Sequence, residues 1–376
     1  MPTPIASPPN LAAFAGPERY VQGPGATAQL AAELQRLGVQ GRVLLIAGSH
    51  ARTQLEPIWQ ATFAAADLEP VVAAFGGECT HAEIARLAAL AREQRVTAVV
   101  GAGGGKAIDT ARAAAADAGV PAVATPTLAS NDAPCSALSV IYTPEGVVER
   151  VRCFQRHPLL VLVDSSVIAR APKRQLLAGI CDALATWYEA RSVQEAHKLH
   201  PNRGLHTATV MALGRLCVEI LMADAHAACA AVDVQVVTPA LERVIEANIL
   251  LSGLGFENGG VCVAHAVHDG ITVAPGSHAF LHGEKVAFGL LTQLVLEGRP
   301  QQELNAVLEF MHGIGLPITL GQVGVDGGDL TLLEAIAERA CAEGETSHLE
   351  VFAVRPQALL DAMRAANRLG ELKRVG

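Results

Sequence analysis

Residues 96–115, VTAVVGAGGGKAIDTARAAA, run from an apolar, strand-like stretch into Gly101, Gly103, Gly104, Gly105 and Lys106, and then into an alanine-rich helical stretch. A strand feeding a helix through glycines forms an anion site. Glycine has no Cβ, so the backbone can come close to a diphosphate, and the unpaired N–H groups and positive dipole end of the helix face the charge. Lys106 adds a full positive charge at the same place. The run is not a Walker A loop, because too few residues separate Gly101 from Gly105 and Ala107 stands where a magnesium-binding Ser or Thr is required. It also departs from the standard dinucleotide fingerprint, since Lys106 falls where the third glycine belongs. A glycine turn that carries no ligand reads the same way from this run alone.

Up to about residue 165, apolar runs (Val43–Ile46, Val71–Ala74, Ala98–Val100, Ala122–Ala124, Leu159–Val163) alternate with helical patterns such as Ala26–Leu37 and His81–Gln94. That alternation predicts a parallel sheet with helices on both faces. From Pro172 onward the pattern is helical nearly throughout: Gln175–Ala196, Leu205–Ala223, Pro239–Leu254, a segment around Val261–Gly270, Glu284–Leu296, Gln301–Gly313 and Pro356–Asn367. A chain of 376 residues also exceeds the size at which one core stops growing. The expected organisation is a flexible lead-in over residues 1–17, an α/β domain over 18–168 and an all-α domain over 169–376.

With 51% apolar and 17% charged residues the chain is core-rich and globular. A net charge of −9, with no Lys/Arg cluster interleaved with aromatics, argues against a nucleic-acid partner. Prolines 2, 4, 8, 9 and 17, and the lack of a basic residue before Arg19, argue against a secretory signal. No uninterrupted apolar stretch approaches a membrane span. The eight cysteines (Cys79, Cys135, Cys153, Cys181, Cys217, Cys229, Cys262 and Cys341) include no CxxC pair and read as reduced thiols of a cytoplasmic protein.

In the helical half, GICDALATWYEARS sets Asp182 among Leu177, Ile180, Leu184 and Trp187, on or beside an apolar face. A buried carboxylate there needs a cation, a metal or several donors. His265 and His268 lie three apart in ENGGVCVAHAVHDG, and His278 and His282 four apart in HAFLHGEK. Asp and His are zinc-type ligands. Thirteen histidines also produce neighbouring pairs by chance, and Cys181 beside Asp182 and Cys262 before His265 leave a thiolate site open on spacing alone.

Read together, RYVQGPGA (19–26), GAGGGKAIDTAR (101–112), TPTLASNDAPCSALSVIY (125–142), GICDALATWYEA (179–190), ENGGVCVAHAVHDG (257–270) and LHGEKVAFG (281–289) resemble the glycerol dehydrogenases of the iron-containing (group III) alcohol dehydrogenase superfamily. The resemblance implies a dehydroquinate synthase-like fold: a doubly wound, Rossmann-like N-terminal domain, an all-α C-terminal domain and a site in the cleft between them. By position it implies Asp182, His265 and His282 as zinc ligands that also meet the substrate, with His268 and His278 behind them and the two cysteines uninvolved. Asp132 matches the aspartate that contacts the polyol. Gly104, Gly105 and Lys106 match the diphosphate loop, Thr125 lies close to the cofactor, and Ser136, Leu138 and Tyr142 line the nicotinamide side.

Iron-dependent members carry a histidine one helical turn after the aspartate, where this chain has Thr186, so zinc is expected. Glycerol dehydrogenases end the strand VLLIA with an aspartate on the adenosine ribose, whereas here Gly48 is followed by Ser49, His50 and Arg52. Loss of that acid removes a reason to reject NADP. The implied activity is zinc-dependent oxidation of glycerol and other vicinal diols, giving dihydroxyacetone from glycerol, with hydride transfer to NAD or NADP. The alternatives are a 2-oxo acid (hydroxycarboxylate) reductase of the same superfamily, a carbocycle-forming synthase, for which the Lys/Arg cluster around a phosphorylated substrate is missing, and a non-catalytic dinucleotide sensor. A homo-oligomer is expected.

Overall fold

The computed structural model describes residues 11–201 and 204–375, which divide into two compact units. The first comprises Gly16–Leu176 and Ala227–Gly253; the second takes the chain up to Ala15, Leu177–His226 and the chain from Leu254 on. Where the sequence suggests one boundary near residue 168, the units divide at Leu176, and Ala227–Gly253 returns to the first unit despite lying late in the chain.

The first unit contains, in order, β1 (Tyr20–Gly23), α1 (Leu30–Arg36), β2 (Gly41–Ala47), α2 (Ser49–Ala65), β3 (Leu68–Ala74), α3 (His81–Glu93), β4 (Ala98–Gly103), α4 (Gly105–Ala118), β5 (Ala122–Pro126), β6 (Leu138–Tyr142), β7 (Val148–Cys153), β8 (Leu160–Asp164) and α5 (Ser165–Ile168). Six strands form an all-parallel sheet in the order β1-β8-β5-β4-β2-β3, as the alternation of apolar runs predicts. Strand side chains alternate between faces. Val43, Leu45 and Ala47 of β2 therefore pack with Leu30, Leu34, Trp59 and Phe63 of α1 and α2, while Leu44 and Ile46 pack with Leu87, Ala111 and Ala114 of α3 and α4. This is the doubly wound arrangement. The order of connection reverses between β2 and β4, and ligands of open parallel sheets bind beyond the carboxyl ends of strands at such a point. The ends brought there are Ala47–Gly48 and Gly103–Gly104.

Two features depart from the expected strands. β1 is four residues long and only half-buried, too short to carry a period. β6 and β7 form a separate antiparallel ribbon whose second strand, VERVRC, is charged and largely exposed, so it lacks the apolar run that marks the sheet strands. Asp164 at the end of β8 accepts from Gly25 N at 2.9 Å and Thr27 N at 3.0 Å, which ties the RYVQGPGA segment to the sheet.

The remaining helices are α6 (Lys173–Glu195), α7 (Ala208–Asp233), α8 (Pro239–Glu246), α9 (Ser252–Gly259), α10 (Val263–Ile271), α11 (His282–Leu296), α12 (Gln301–Ile314), α13 (Leu330–Ala340) and α14 (Pro356–Val375). α8 and α9 are joined by a π-helical turn, Ala247–Leu251, a feature that widens the backbone and recurs at functional sites. Of the lead-in expected over residues 1–17, residues 1–10 lie outside the described residues. The following segment is held: Ala12 bridges Leu205, Ala15 N donates to Asn258 Oδ1 at 2.8 Å, and Asn258 Nδ2 returns a bond to Ala15 O at 2.9 Å.

Candidate metal centre and dinucleotide loop

Asp182 lies in the middle of α6 and is buried; His265 belongs to the first turn of α10, and His282 is the first residue of α11. A Cβ at Gly283 would lie 1.9 Å from Ala178 O, so only glycine lets α11 approach α6 closely enough to bring its first turn beside Asp182. Asp182 Oδ1 is 3.2 Å from His282 Nε2 and 3.5 Å from His265 Nε2. Among the described residues, these three form the group whose ligand atoms converge, all within 4.8 Å of one another.

The hydrogen bonds behind the two imidazoles set their tautomers. A carboxylate only accepts. His265 Nδ1 therefore donates to Glu189 Oε2 at 2.7 Å, leaving Nε2 as the nitrogen that faces Asp182. His268 Nδ1 donates to Asp269 Oδ1 at 2.9 Å, and burial pushes the His268 pKa down to about 3, so its ring is neutral. The His268 Nε2 lone pair then accepts from His282 Nδ1 at 3.1 Å, which leaves His282 Nε2 facing the carboxylate. Burial works against ionisation of Asp182, but the His282 and His265 rings outweigh it and hold the carboxyl below its usual range. Burial likewise opposes a charge on His265, and the Glu189 and Asp182 carboxylates overcome it and raise that pKa well above the ordinary value.

The second oxygen of Asp182 is buried and has no hydrogen-bond partner. Such an atom is costly unless a cation meets it. One carboxylate and two imidazoles whose Nε2 atoms face it suit a divalent metal of the zinc type, which would displace the Nε2 protons, so the residues fit the group that the sequence resemblance implies. Cys181 is fully buried, with its thiol pKa raised by burial, and Cys262 Sγ donates to Glu350 Oε2 at 2.7 Å; neither joins the cluster. His278 bonds to Thr272 O at 3.1 Å, away from the cluster.

The residues expected to hold the dinucleotide lie in the first unit. Gly104 is the N-cap of α4, and Gly105 and Lys106 open the helix. A Cβ on Gly105 would lie 2.9 Å from Asn131 Nδ2, so the glycine admits the SNDAP segment against the helix start. Lys106 Nζ pairs with Glu78 Oε2 at 2.5 Å and lies 4.7 Å from the ring centre of Tyr142, which joins those two expected residues. Thr125 on β5 bonds to Gly101 O at 3.2 Å. Ser136 is fully buried, its hydroxyl bonded to Ala133 O at 3.0 Å, and Leu138 begins β6 with its carbonyl on Arg112. Asp132 Oδ2 accepts from Ser252 Oγ at 2.8 Å, immediately after the π-helical turn.

Sequence reasoning passed over Glu189, although it stands seven residues after Asp182 and so on nearly the same helix face. It also passed over Asp269 and Ser252, whose positions carry no local signal.

Residues 17–165 match the family of iron-containing alcohol dehydrogenases. The chain is 45% identical over 359 residues to a glycerol dehydrogenase of Pseudomonas putida, covering 94% of this chain and 98% of that protein. It is 42% identical over 357 residues to a glycolaldehyde reductase of Halobacterium salinarum, covering 95% and 97% of the two. The crystal structure of a probable glycerol dehydrogenase from Sinorhizobium meliloti 1021 superposes with a TM-score of 0.89 at 41% identity, covering 96% of this chain and 99% of that one. The parallel sheet with its glycine turn, the helical ligand cluster and this likeness along nearly the whole length agree: the chain belongs to the iron-containing alcohol dehydrogenases, metal-dependent and NAD-linked enzymes that act on alcohols.

Proposed function

We propose that the protein is a zinc-dependent glycerol dehydrogenase, oxidising glycerol and other vicinal diols with hydride transfer to NAD or NADP. The observation that carries this reading is the Asp182, His265 and His282 cluster, with its orphaned carboxylate oxygen and two imidazole Nε2 atoms converging on that carboxylate. Asp182, His265 and His282 would hold the ion. A bound zinc supplies Lewis acidity that lowers the pKa of a diol hydroxyl and stabilises the alkoxide charge. Zinc in place of iron is supported by Thr186, a buried residue one turn after Asp182, whose methyl fills the space beside Gly255, where a Cβ would lie 2.3 Å away.

Asp132 would orient the polyol by accepting from a hydroxyl, and its carboxylate is already steadied by Ser252. Gly104, Gly105 and Lys106 would receive the diphosphate at the start of α4, with Lys106 exchanging its Glu78 partner for phosphate oxygens. Thr125, Ser136, Leu138 and Tyr142 would shape the nicotinamide side, Ser136 through its backbone because its hydroxyl is engaged. Hydride transfer needs the nicotinamide C4 and the substrate carbon within about 3 to 3.5 Å.

The first turn of α2 carries Ser49, His50 and Arg52 with no acidic residue, and Gly48 caps it. An acid there would repel a 2′-phosphate, so its replacement supports use of both NAD and NADP. The eight free thiols fit a reducing compartment such as the cytoplasm, and we infer a homo-oligomer there. The likeness to a glycolaldehyde reductase supports a second reading, in which the flux runs toward reduction of a small hydroxycarbonyl at the same site. Initial rates with glycerol, 1,2-propanediol, a monohydric alcohol, glycolaldehyde and a 2-oxo acid test the assignment. Preference for the vicinal diols and their carbonyl products is expected, and preference for the 2-oxo acid would overturn it.

A further inference from the structure

Glu189 is fully buried on α6, two turns after Asp182 on nearly the same helix face. Its two oxygens divide their work. Oε1 accepts from Cys262 N at 2.6 Å and from His265 N at 3.1 Å, two of the orphan N–H groups at the start of α10, whose N-cap residue supplies no side-chain bond of its own. Oε2 accepts from His265 Nδ1 at 2.7 Å. One carboxylate therefore fixes the backbone that carries His265, the orientation of its ring and which nitrogen, Nε2, is left for a metal.

The geometry points to Glu189 as the positioning residue of the metal centre, holding His265 in the form that presents Nε2 beside Asp182. The inference rests on the reading of Asp182, His265 and His282 as metal ligands. Three donors converge on Glu189, and only a group with two acceptor oxygens serves them all. An amide in its place has one acceptor oxygen. Turned toward the two backbone N–H groups, it presents its NH2 to His265 Nδ1, so that Nδ1 must carry the lone pair and Nε2 the proton; an Nε2–H cannot ligate. Turned the other way, its NH2 meets two N–H groups at the helix start, and α10 loses the part of its cap that Glu189 supplies.

A second side chain separates the two effects. Gln293 Oε1 accepts from Ala264 N at 2.9 Å, capping the same helix end without bonding to the His265 ring. Gln293→Met thus removes this cap bond, together with the Gln293 Nε2 bonds to Ser192 and Glu297, and leaves the imidazole bonded to Glu189.

The test is the zinc dissociation constant of the wild type, Glu189→Gln and Gln293→Met, measured by competition with a chromogenic chelator, together with thermal unfolding of each metal-free protein and the imidazole ¹⁵N spectrum of the zinc-loaded wild type. Outer-sphere partners of a ligating histidine are typically worth 10- to 100-fold in metal affinity, and a loss of about that size is expected in Glu189→Gln. Gln293→Met is expected to lower the unfolding temperature and to bind zinc much as the wild type does. In the wild-type spectrum His265 is expected to ligate through Nε2 with Nδ1 protonated, a result that does not depend on any variant folding. Equal zinc affinity in Glu189→Gln, an equal loss in Gln293→Met, or ligation of His265 through Nδ1 would each overturn the role of Glu189. A wild type that takes up no zinc would instead remove the metal reading itself, and this role with it.

Discussion

Arg112 and Asp109, one helical turn apart on α4, form an almost completely buried ion pair, with Nη1 of the guanidinium 2.8 Å from Oδ1 of the carboxylate. The pair reaches across to the segments that follow Asp132. Arg112 also donates to the carbonyls of Leu138 and Ala133, and Asp109 Oδ2 accepts from Val140 N at 3.0 Å. Burial pushes the Asp109 pKa up to about 6, against the pull of Arg112. The helix behind the glycine turn thus anchors both the SNDAPC turn and strand β6.

Removing one partner of such a pair strands a buried charge, at a cost of about 3–5 kcal/mol. Arg112→Met is expected to lower unfolding stability by that amount, read from the midpoint of urea denaturation, and to weaken NAD binding as the turn and β6 loosen. A midpoint unchanged from the wild type would contradict the anchoring role.

The close approach of α11 to α6 rests on Gly283. Inserting a methyl into a packed contact typically costs about 1–3 kcal/mol. Gly283→Ala is expected to destabilise the protein by about that much and to weaken zinc binding, because the added methyl pushes His282 away from Asp182. Calorimetric unfolding and zinc competition measure the two effects separately, and wild-type zinc affinity would show that the spacing is not set there.

Burial holds His200 below the ordinary imidazole pKa of 6.5, and His206 likewise. A histidine with a depressed folded-state pKa contributes stability that is present above the unfolded value and lost as pH falls through the folded one. These two rings therefore contribute a fall in unfolding temperature as pH drops below about 6.5, against the opposite contribution of Asp109 with its raised pKa. His206 bonds to Gly259 O at 2.6 Å, and His206→Gln keeps a donor there while removing one titrating group. Its fall between pH 7.5 and 5.5 should be shallower than that of the wild type; an identical fall would count against His206 as a source.

If Gly48 has removed the usual barrier to a 2′-phosphate, the catalytic efficiencies with NAD and NADP should lie close together, and Arg52→Ala should selectively impair NADP. Arg52 is half-exposed and pairs with Glu56 at 3.4 Å, so the substitution leaves the core intact. A strong wild-type preference for NAD that Arg52→Ala leaves unchanged would contradict this.

Much of this arrangement is legible in the residues alone. Strands β2, β4, β5 and β8 announce themselves because they are largely buried on both faces and read as continuous apolar runs, and the glycine turn after β4 marks the switch point. Asp182, His265 and His282 stand out as polar residues within apolar helices, and the structure brings them together. Their supports were harder to see. Glu189 sits in the same helix as Asp182, but its significance depends on where α10 starts, a tertiary fact. Asp109 and Arg112 look like an ordinary solvated pair one turn apart until the β6 backbone closes over them. Ribbon β6–β7 escaped because its outer strand is exposed and charged, and the return of Ala227–Gly253 to the sheet unit leaves no mark in a pattern that is helical on both sides.

The most direct test of the account is the initial rate of glycerol oxidation with NAD by the zinc-loaded wild type, the same protein stripped of metal, the stripped protein with zinc restored, and His265→Ala. The account predicts turnover in the first, near-complete loss in the second, recovery in the third and negligible turnover in the fourth, with dinucleotide still bound throughout. Near-normal turnover in metal-stripped His265→Ala would contradict it.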